Sequence, residues 1–224
     1  MAFFTPDFLQ FFIDLAGNNT KEWFDSNRKR YEQNVKEPFK QFVQHLIEKM
    51  SEEDAAYKAL EAKDCIFRIN RDIRFSKDKT PYKTMVSAVV APDGKKSKAI
   101  NGIYFELGPE HLRVYGGIYE IDKENLELVR AHIADNIREF QNLYQAPDFV
   151  STYGKIVGEK NKILPNHLKE AAQKEALIFN KQWYFYTSFP SEEILSETLD
   201  KLMLDCYYIG LPVQQFLNQI THHS

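Results

Sequence analysis

The stretch Cys65-Ile-Phe-Arg-Ile-Asn-Arg-Asp-Ile-Arg-Phe-Ser-Lys-Asp-Lys-Thr-Pro-Tyr-Lys-Thr84 is where the chain changes its period. From Ile66 to Phe75 the residues alternate. Phe67, Ile69, Ile73 and Phe75 fall on one face, and Arg68, Asn70, Asp72 and Arg74 on the other, as a half-buried strand requires. Arg71 breaks the pattern, because it shares the apolar face. An isolated buried charge is very costly, so Arg71 must be paired, must reach out to an edge, or must sit beside a β-bulge near Asn70.

Upstream of this stretch the period is helical. Thr5-Pro6-Asp7 starts a helix that carries Phe8, Leu9, Phe12, Ile13 and Leu15 and ends at Gly17-Asn18-Asn19. Thr20 caps a second helix bearing Trp23, Phe24, Asn27, Tyr31 and Val35. Pro38 kinks or restarts it, and the stripe continues through Phe39, Phe42, Val43, Leu46 and Ile47 to about Met50. Glu52–Ala62 reads as a short polar helix.

Downstream, Met85–Ala91, Ile100–Leu107 and Leu112–Tyr119 read as strands with turns at Pro92-Asp93-Gly94 and Gly108-Pro109-Glu110. Such short connections predict an antiparallel meander. Asp122 caps a helix carrying Leu126, Val129, Ile133, Ile137 and Phe140. Residues 145–165 read as loop, Asn166–Lys174 as a short helix and Gln182–Phe189 as a late strand joining the sheet. Helices follow from Ser191 and from Pro212. The order predicts an α+β fold, with N-terminal helices, a central mainly antiparallel sheet (a meander plus one late strand) and C-terminal helices. It predicts one domain over residues 1–224.

Composition narrows the function classes. The net charge of −3 argues against a globally basic nucleic-acid binder. Residues 63–83 nevertheless hold seven basic and three acidic side chains, net +4, and residues 191–205 hold five acidic and one basic, net −4. The two regions either orient an anionic ligand or neutralise each other. The two cysteines, Cys65 and Cys206, lie far apart in apolar surroundings. They read as buried thiols in a reducing compartment, with neither a disulfide framework nor a zinc spacing. No signal peptide or membrane span is expected, and cytoplasmic residence follows by default. His45, His111, His132 and His167 show no metal spacing, and His222-His223 forms a tail. No metal site is therefore predicted, and no cofactor is identified.

Chemistry concentrates in the opening stretch. Arg68, Asp72 and Arg74 make a plus-minus-plus row at two-residue spacing. An aspartate flanked by arginines stays ionised and can hold two guanidiniums as forks for phosphate or carboxylate. Ser76-Lys77-Asp78-Lys79-Thr80-Pro81 follows as a charged loop leading into Tyr82, Lys83 and Thr84. The competing reading is a solvated row of favourable pairs. At a helix start, Asn18, Asn19, Glu22 and Trp23 suit either capping or anion binding. Gly116-Gly117 inside a strand marks a bulge or a close backbone approach, by a facing helix in the favoured reading or by a ligand in the other. Trp183–Tyr186 reads as a half-buried aromatic strand.

Four stretches carry a family resemblance. They are Leu15–Phe24 with Asn27, Arg28 and Tyr31; Phe67–Thr84; Tyr104-Phe105 with Gly116-Gly117-Ile118-Tyr119; and Arg130. On these the chain resembles the conserved hypothetical proteins grouped as domain of unknown function 2461. Lys155–Glu175 departs from that pattern, with Leu164-Pro165 standing where more basic residues are common. The resemblance implies one compact domain and a shared polar site, and supplies no reaction.

Three function classes follow. The favoured one is a polar pocket for an anionic small molecule or nucleotide, phosphorylated ones included. Arg68, Arg71, Arg74, Lys77, Lys79, Lys83 and Asn19 are its ligand-binding candidates, and Asp72 or Glu22 is its general base if it is an enzyme. The second is a non-enzymatic module that docks an unidentified protein partner. Nucleic-acid binding is the least favoured, and no membrane partner is expected.

Overall fold

The computed structural model describes residues 2–96 and 102–219. Ile100 of the second expected strand, Ile220 of the last helix and the His222-His223 tail lie outside the described residues. The fold is α+β, as expected: helices at both ends flank a four-stranded antiparallel meander in the order β1-β2-β3-β4. Its strands are β1 (Val86–Val90), β2 (Ile103–Leu107), β3 (Leu112–Ile118) and the late strand β4 (Trp183–Phe189). Burial alternates along β2 and the first half of β3, the two-residue period of a sheet with one face turned to the core.

Contacts group the chain into two compact units. The first comprises Met1–Lys95, Tyr104–Val114 and Ser188–Leu204. Here α1 (Pro6–Gly17) starts with Pro6 in its first turn and buries Phe8, Phe11, Phe12 and Leu15. Thr20 caps α2 (Lys21–Ser26) by accepting a hydrogen bond from the Trp23 amide at 3.2 Å. The short α3 (Arg28–Tyr31) runs through a π-helical turn at Glu32–Lys36 into α4 (Glu37–Glu53), so the chain restarts at Pro38. Six apolar side chains from Phe39 to Met50 make the buried stripe of α4. Phe39 and Phe42 both pack edge-on against Phe105 of β2, at 5.9 and 6.0 Å. The polar helix expected over 52–62 is replaced by a 3-10 turn at Ala55–Tyr57 and the one-turn α5 (Ala62–Cys65). Asp54 caps the 3-10 turn, and Tyr57 is fully buried.

The second unit comprises Lys96–Ile103, Tyr115–Thr187 and Asp205–Ser224. Asn136 divides the helix expected after Asp122 into α6 (Lys123–Asp135) and α7 (Ile137–Tyr144). The loop expected over 145–165 contains α8 (Pro147–Tyr153), started by Pro147 and anchored by buried Phe149 and Tyr153. Its i, i+4 aromatic pair and leading proline were the available signal. The short helix after Asn166 is present as a 3-10 turn and α9 (Lys169–Lys174).

Two helices differ at the C-terminal end. Ser191–Leu195 is a 3-10 turn, and the long helix α10 (Leu199–Asn218) contains Pro212 rather than starting there. Pro212 removes one backbone donor, and the apolar positions Val213, Phe216 and Leu217 beyond it remain buried. Gly116 and Gly117 are packing glycines. A side chain at Gly116 would meet Phe185 and Gln214, and one at Gly117 (φ +88°) would come within 2.2 Å of the Trp183 carbonyl oxygen. Arg130, 1% exposed, is fully engaged. It donates to the Asn180 carbonyl at 2.9 and 3.3 Å, to Glu127 at 3.0 Å and, with Asn161 turned to present its oxygen, to that side chain.

Candidate functional site

The strand expected over Ile66–Phe75 does not form as a regular strand. Residues 66–70 touch 82–88 through only two antiparallel bridges, Ile66 to Ala88 and Asn70 to Tyr82. Backbone bonds from Phe67 to Ser87, Lys83 to Ile69 and Arg71 to Pro81, at 3.0, 2.9 and 2.9 Å, complete the pairing. Beyond Arg71 the ladder is replaced by local bonds. Asp72 accepts from the Arg74 amide at 3.2 Å, Asp78 accepts from the Thr80 amide at 2.9 Å, and Pro81 has no N–H to offer. Aspartates that satisfy the backbone two residues on favour turns over strands. The alternation therefore stops, and Phe75, expected on the apolar face, is 95% exposed.

Arg71 resolves its conflict by pairing, the first of the three routes open to it. Its Nη1 donates to the Asp78 carboxylate, to the Thr80 hydroxyl, and to the Thr80 carbonyl at 3.3 Å. All of these bonds use one nitrogen. The edge formed by Nε and Nη2 meets no acceptor among the described residues, although the side chain is only 27% exposed. Thr80 and Arg71 together hold the Asp78 carboxyl well below its ordinary range, at about 2, with the Thr80 amide contributing most.

Asn19 anchors the far side. Its side-chain amide donates to the Tyr82 carbonyl at 2.9 Å and its oxygen accepts from the Tyr82 N–H at 3.1 Å, so one side chain plays the part of a neighbouring strand. The Tyr82 ring stacks on Phe24 at 4.0 Å, nearly parallel. Fixed between these contacts, Lys83 lies over the Phe67 ring at 5.6 Å. Its ammonium has no hydrogen-bond acceptor among the described residues. Burial lowers its pKa; the Glu106 carboxylate opposes this and Arg68 reinforces it. Glu106, 13% exposed, accepts from the Tyr104 hydroxyl at 2.7 Å and lies 3.6 Å from His111 Nε2.

These contacts frame a hollow of about 330 Å³ within the first unit, lined by Asn19, Arg71, Asp78, Thr80, Tyr82, Lys83, Thr84 and Met85. Of the expected ligand-binding residues, it gathers Asn19, Arg71 and Lys83. The others lie elsewhere. Asp72 and Arg74 clasp each other through two bonds at 3.0 and 2.7 Å. Lys79 donates to the Ile73 carbonyl at 2.9 Å, while Arg68 and Lys77 are exposed. Asp72 and Glu22 do not line the hollow, and both are exposed on the surface. The lining residues Asp78, Thr80, Tyr82 and Thr84 were not among the expected binding residues. Their signal was the run Asp78–Thr84 itself, in which one acid and three hydroxyls interleave with two lysines.

The cysteines behave as expected: Cys65 and Cys206 are free and buried, and burial pushes each thiol up to about 12. Among the described residues no cluster of three His, Cys, Asp or Glu side chains could hold a metal ion. No helix among them is long and apolar enough to cross a membrane. No curated protein and no solved structure matches the chain. A family model described as Conserved hypothetical protein (DUF2461) matches residues 7–216 of the 224, which takes in every residue of the hollow. The chain belongs to that family of conserved hypothetical proteins.

Proposed function

We propose that the hollow binds a small anion carrying a phosphate or carboxylate group. One observation carries this reading. Two cations line the same hollow, and each has donors with no acceptor among the described residues: the Nε/Nη2 edge of Arg71 and the ammonium of Lys83. A guanidinium fixed through one nitrogen presents the remaining fork at little further entropic cost, and such a fork matches two oxygens of a phosphate or carboxylate. Thr84, which also lines the hollow, carries a hydroxyl, whereas the Thr80 hydroxyl already donates to Asp78 at 3.1 Å. Arg68, Arg74, Lys77 and Lys79 then act as surroundings rather than ligands.

The test is thermal unfolding with inorganic phosphate against sodium chloride at equal ionic strength. A ligand present at 100 times its Kd stabilises by about 2.7 kcal/mol, so phosphate raises Tm by several degrees. Lys83→Met removes the increment. Equal Tm in the two salts refutes the reading.

A second reading, a module that docks a protein partner, would use the 95% exposed Phe75 as its contact. It is tested by whether Phe75→Ser abolishes a partner interaction without altering the phosphate response. Two free buried thiols support cytoplasmic residence, and the unbroken family match supports treating the chain as a single domain.

A further inference from the structure

Lys83 has properties that anion binding does not require. A lysine that only neutralises a phosphate works best fully solvated or hydrogen-bonded. This one is half-buried, with no acceptor for its ammonium among the described residues, and the face of the Phe67 ring, 5.6 Å away, favours its charged form. A cationic neighbour, Arg68, and a carboxylate, Glu106, act on it from outside the hollow. Desolvation and a nearby cation are the two ways proteins turn a lysine into a nucleophile. Glu106 is itself held in place, by the Tyr104 hydroxyl at 2.7 Å, with the buried Nε2 of His111 at 3.6 Å.

We propose that Lys83 condenses with the carbonyl carbon of a small aldehyde or ketone whose carboxylate or phosphate is gripped by Arg71. The proposal rests on the anion reading of the hollow and adds a reaction class to it. The neutral amine's lone pair forms a C–N bond while the C=O π pair moves to oxygen. The proton lost by nitrogen passes to that oxygen, giving a carbinolamine. A second proton on the hydroxyl lets it leave as water, and the nitrogen lone pair closes the C=N bond. Atoms and electrons balance without an oxidant or a metal. Solvent water takes up and returns the protons. Arg71 supplies orientation, because a guanidinium already tied to Asp78 and Thr80 holds the anionic end of the substrate in one place.

The amine and the anion site are separable by experiment. The intact protein is treated with cyanoborohydride and either glyoxylate, an aldehyde bearing a carboxylate, or acetaldehyde, which bears none. Alkylated lysines are then mapped by mass spectrometry. Lys77 and Lys79, exposed on the same segment, are the internal references. The proposal expects glyoxylate to modify Lys83 at least about fivefold faster than either reference at pH 7.5, since each unit of depressed pKa raises the neutral fraction about tenfold. Phosphate suppresses that labelling, and acetaldehyde shows less preference. If Lys83 is modified no faster than Lys77 and Lys79 while phosphate still stabilises the protein, the condensation is refuted and the anion site stands. If both aldehydes prefer Lys83 equally and phosphate protects nothing, the amine is reactive but the anion reading, and with it the proposed substrate class, falls.

Discussion

Replacing Asn19 by alanine tests how the hollow is built. The Asn19 side chain spans 63 residues of sequence to bond both backbone groups of Tyr82, at 2.9 and 3.1 Å. Alanine removes both partners and leaves the Tyr82 N–H and C=O half-sheltered. At about 0.5–1.5 kcal/mol net for each bond, the loss is about 1–3 kcal/mol. The Tyr82 ring keeps its stack on Phe24, so the segment is loosened rather than released. Asn19→Asp is the informative companion. Its carboxylate still accepts from the Tyr82 N–H but cannot donate to the carbonyl, and it sets two oxygens against each other. It should lose at least half as much stability as alanine. The assay is urea unfolding combined with hydrogen exchange over residues 67–84. The expected pattern is a lower midpoint with unchanged slope, and faster exchange at Arg71, Tyr82 and Lys83. A stability change below about 0.5 kcal/mol, with no change in exchange at these amides, would refute the role of Asn19 as the tether.

Other perturbations have equally definite outcomes. Gly117→Ala forces a Cβ to 2.2 Å from the Trp183 carbonyl at φ +88°, and should destabilise by more than about 3 kcal/mol in urea unfolding, against less than about 1 kcal/mol at Gly17, where a Cβ meets nothing within 4 Å. Phe75→Ser should change stability by less than about 0.5 kcal/mol, because the ring buries almost nothing; a loss of 2 kcal/mol would show that its exposure is misassigned. The folded pKa of Asp78, about 2, lies below the ~3.9 of an unfolded aspartate, so its support of the segment is complete above about pH 4 and is lost as pH falls through 2. The Thr80 amide resonance should therefore titrate near pH 2, and a midpoint near 4 would contradict the Arg71–Asp78–Thr80 arrangement. Lys83 has the same pH slope but the opposite contribution at neutral pH. Its pKa is lowered by burial, so its charge costs stability at neutral pH and the cost is relieved as pH rises. Lys83→Met should leave Tm unchanged or raised without phosphate; a clear fall would make Lys83 a structural residue.

The elements most legible in the sequence were those whose period and punctuation agreed. Pro6 after Thr5, the Phe39–Met50 stripe and the alternating β2 and β4 each had both. Failures came where local chemistry outweighed the pattern. The alternation at Ile66–Phe75 was real as far as Ile69, but Asp72 and Asp78 bond their own backbone and turn the chain. Pro212 looked like a helix start, yet twenty helical residues from Leu199 to Asn218 absorb it, since tertiary burial of Val213, Phe216 and Leu217 outweighs one lost hydrogen bond. The site was legible as a segment and not as a geometry. Arg71 stood out because it broke the face, and that oddity led to the hollow. The row Arg68-Asp72-Arg74 stood out equally, but Asp72 and Arg74 neutralise each other in the open. Sequence spacing could not separate a guanidinium with a free edge from one already clasped. The tether from Asn19 to Tyr82 depends on where two distant segments meet, and no local period encodes that.

The most direct test is an anomalous-scattering map from a crystal soaked in selenate. The account predicts a peak in the hollow with its oxygens about 2.7–3.2 Å from Arg71 Nε or Nη2 and from Lys83 Nζ, while Asp78 and Thr80 keep Nη1. A well-ordered hollow with no peak, and selenate only on exposed lysines such as Lys77, would contradict it.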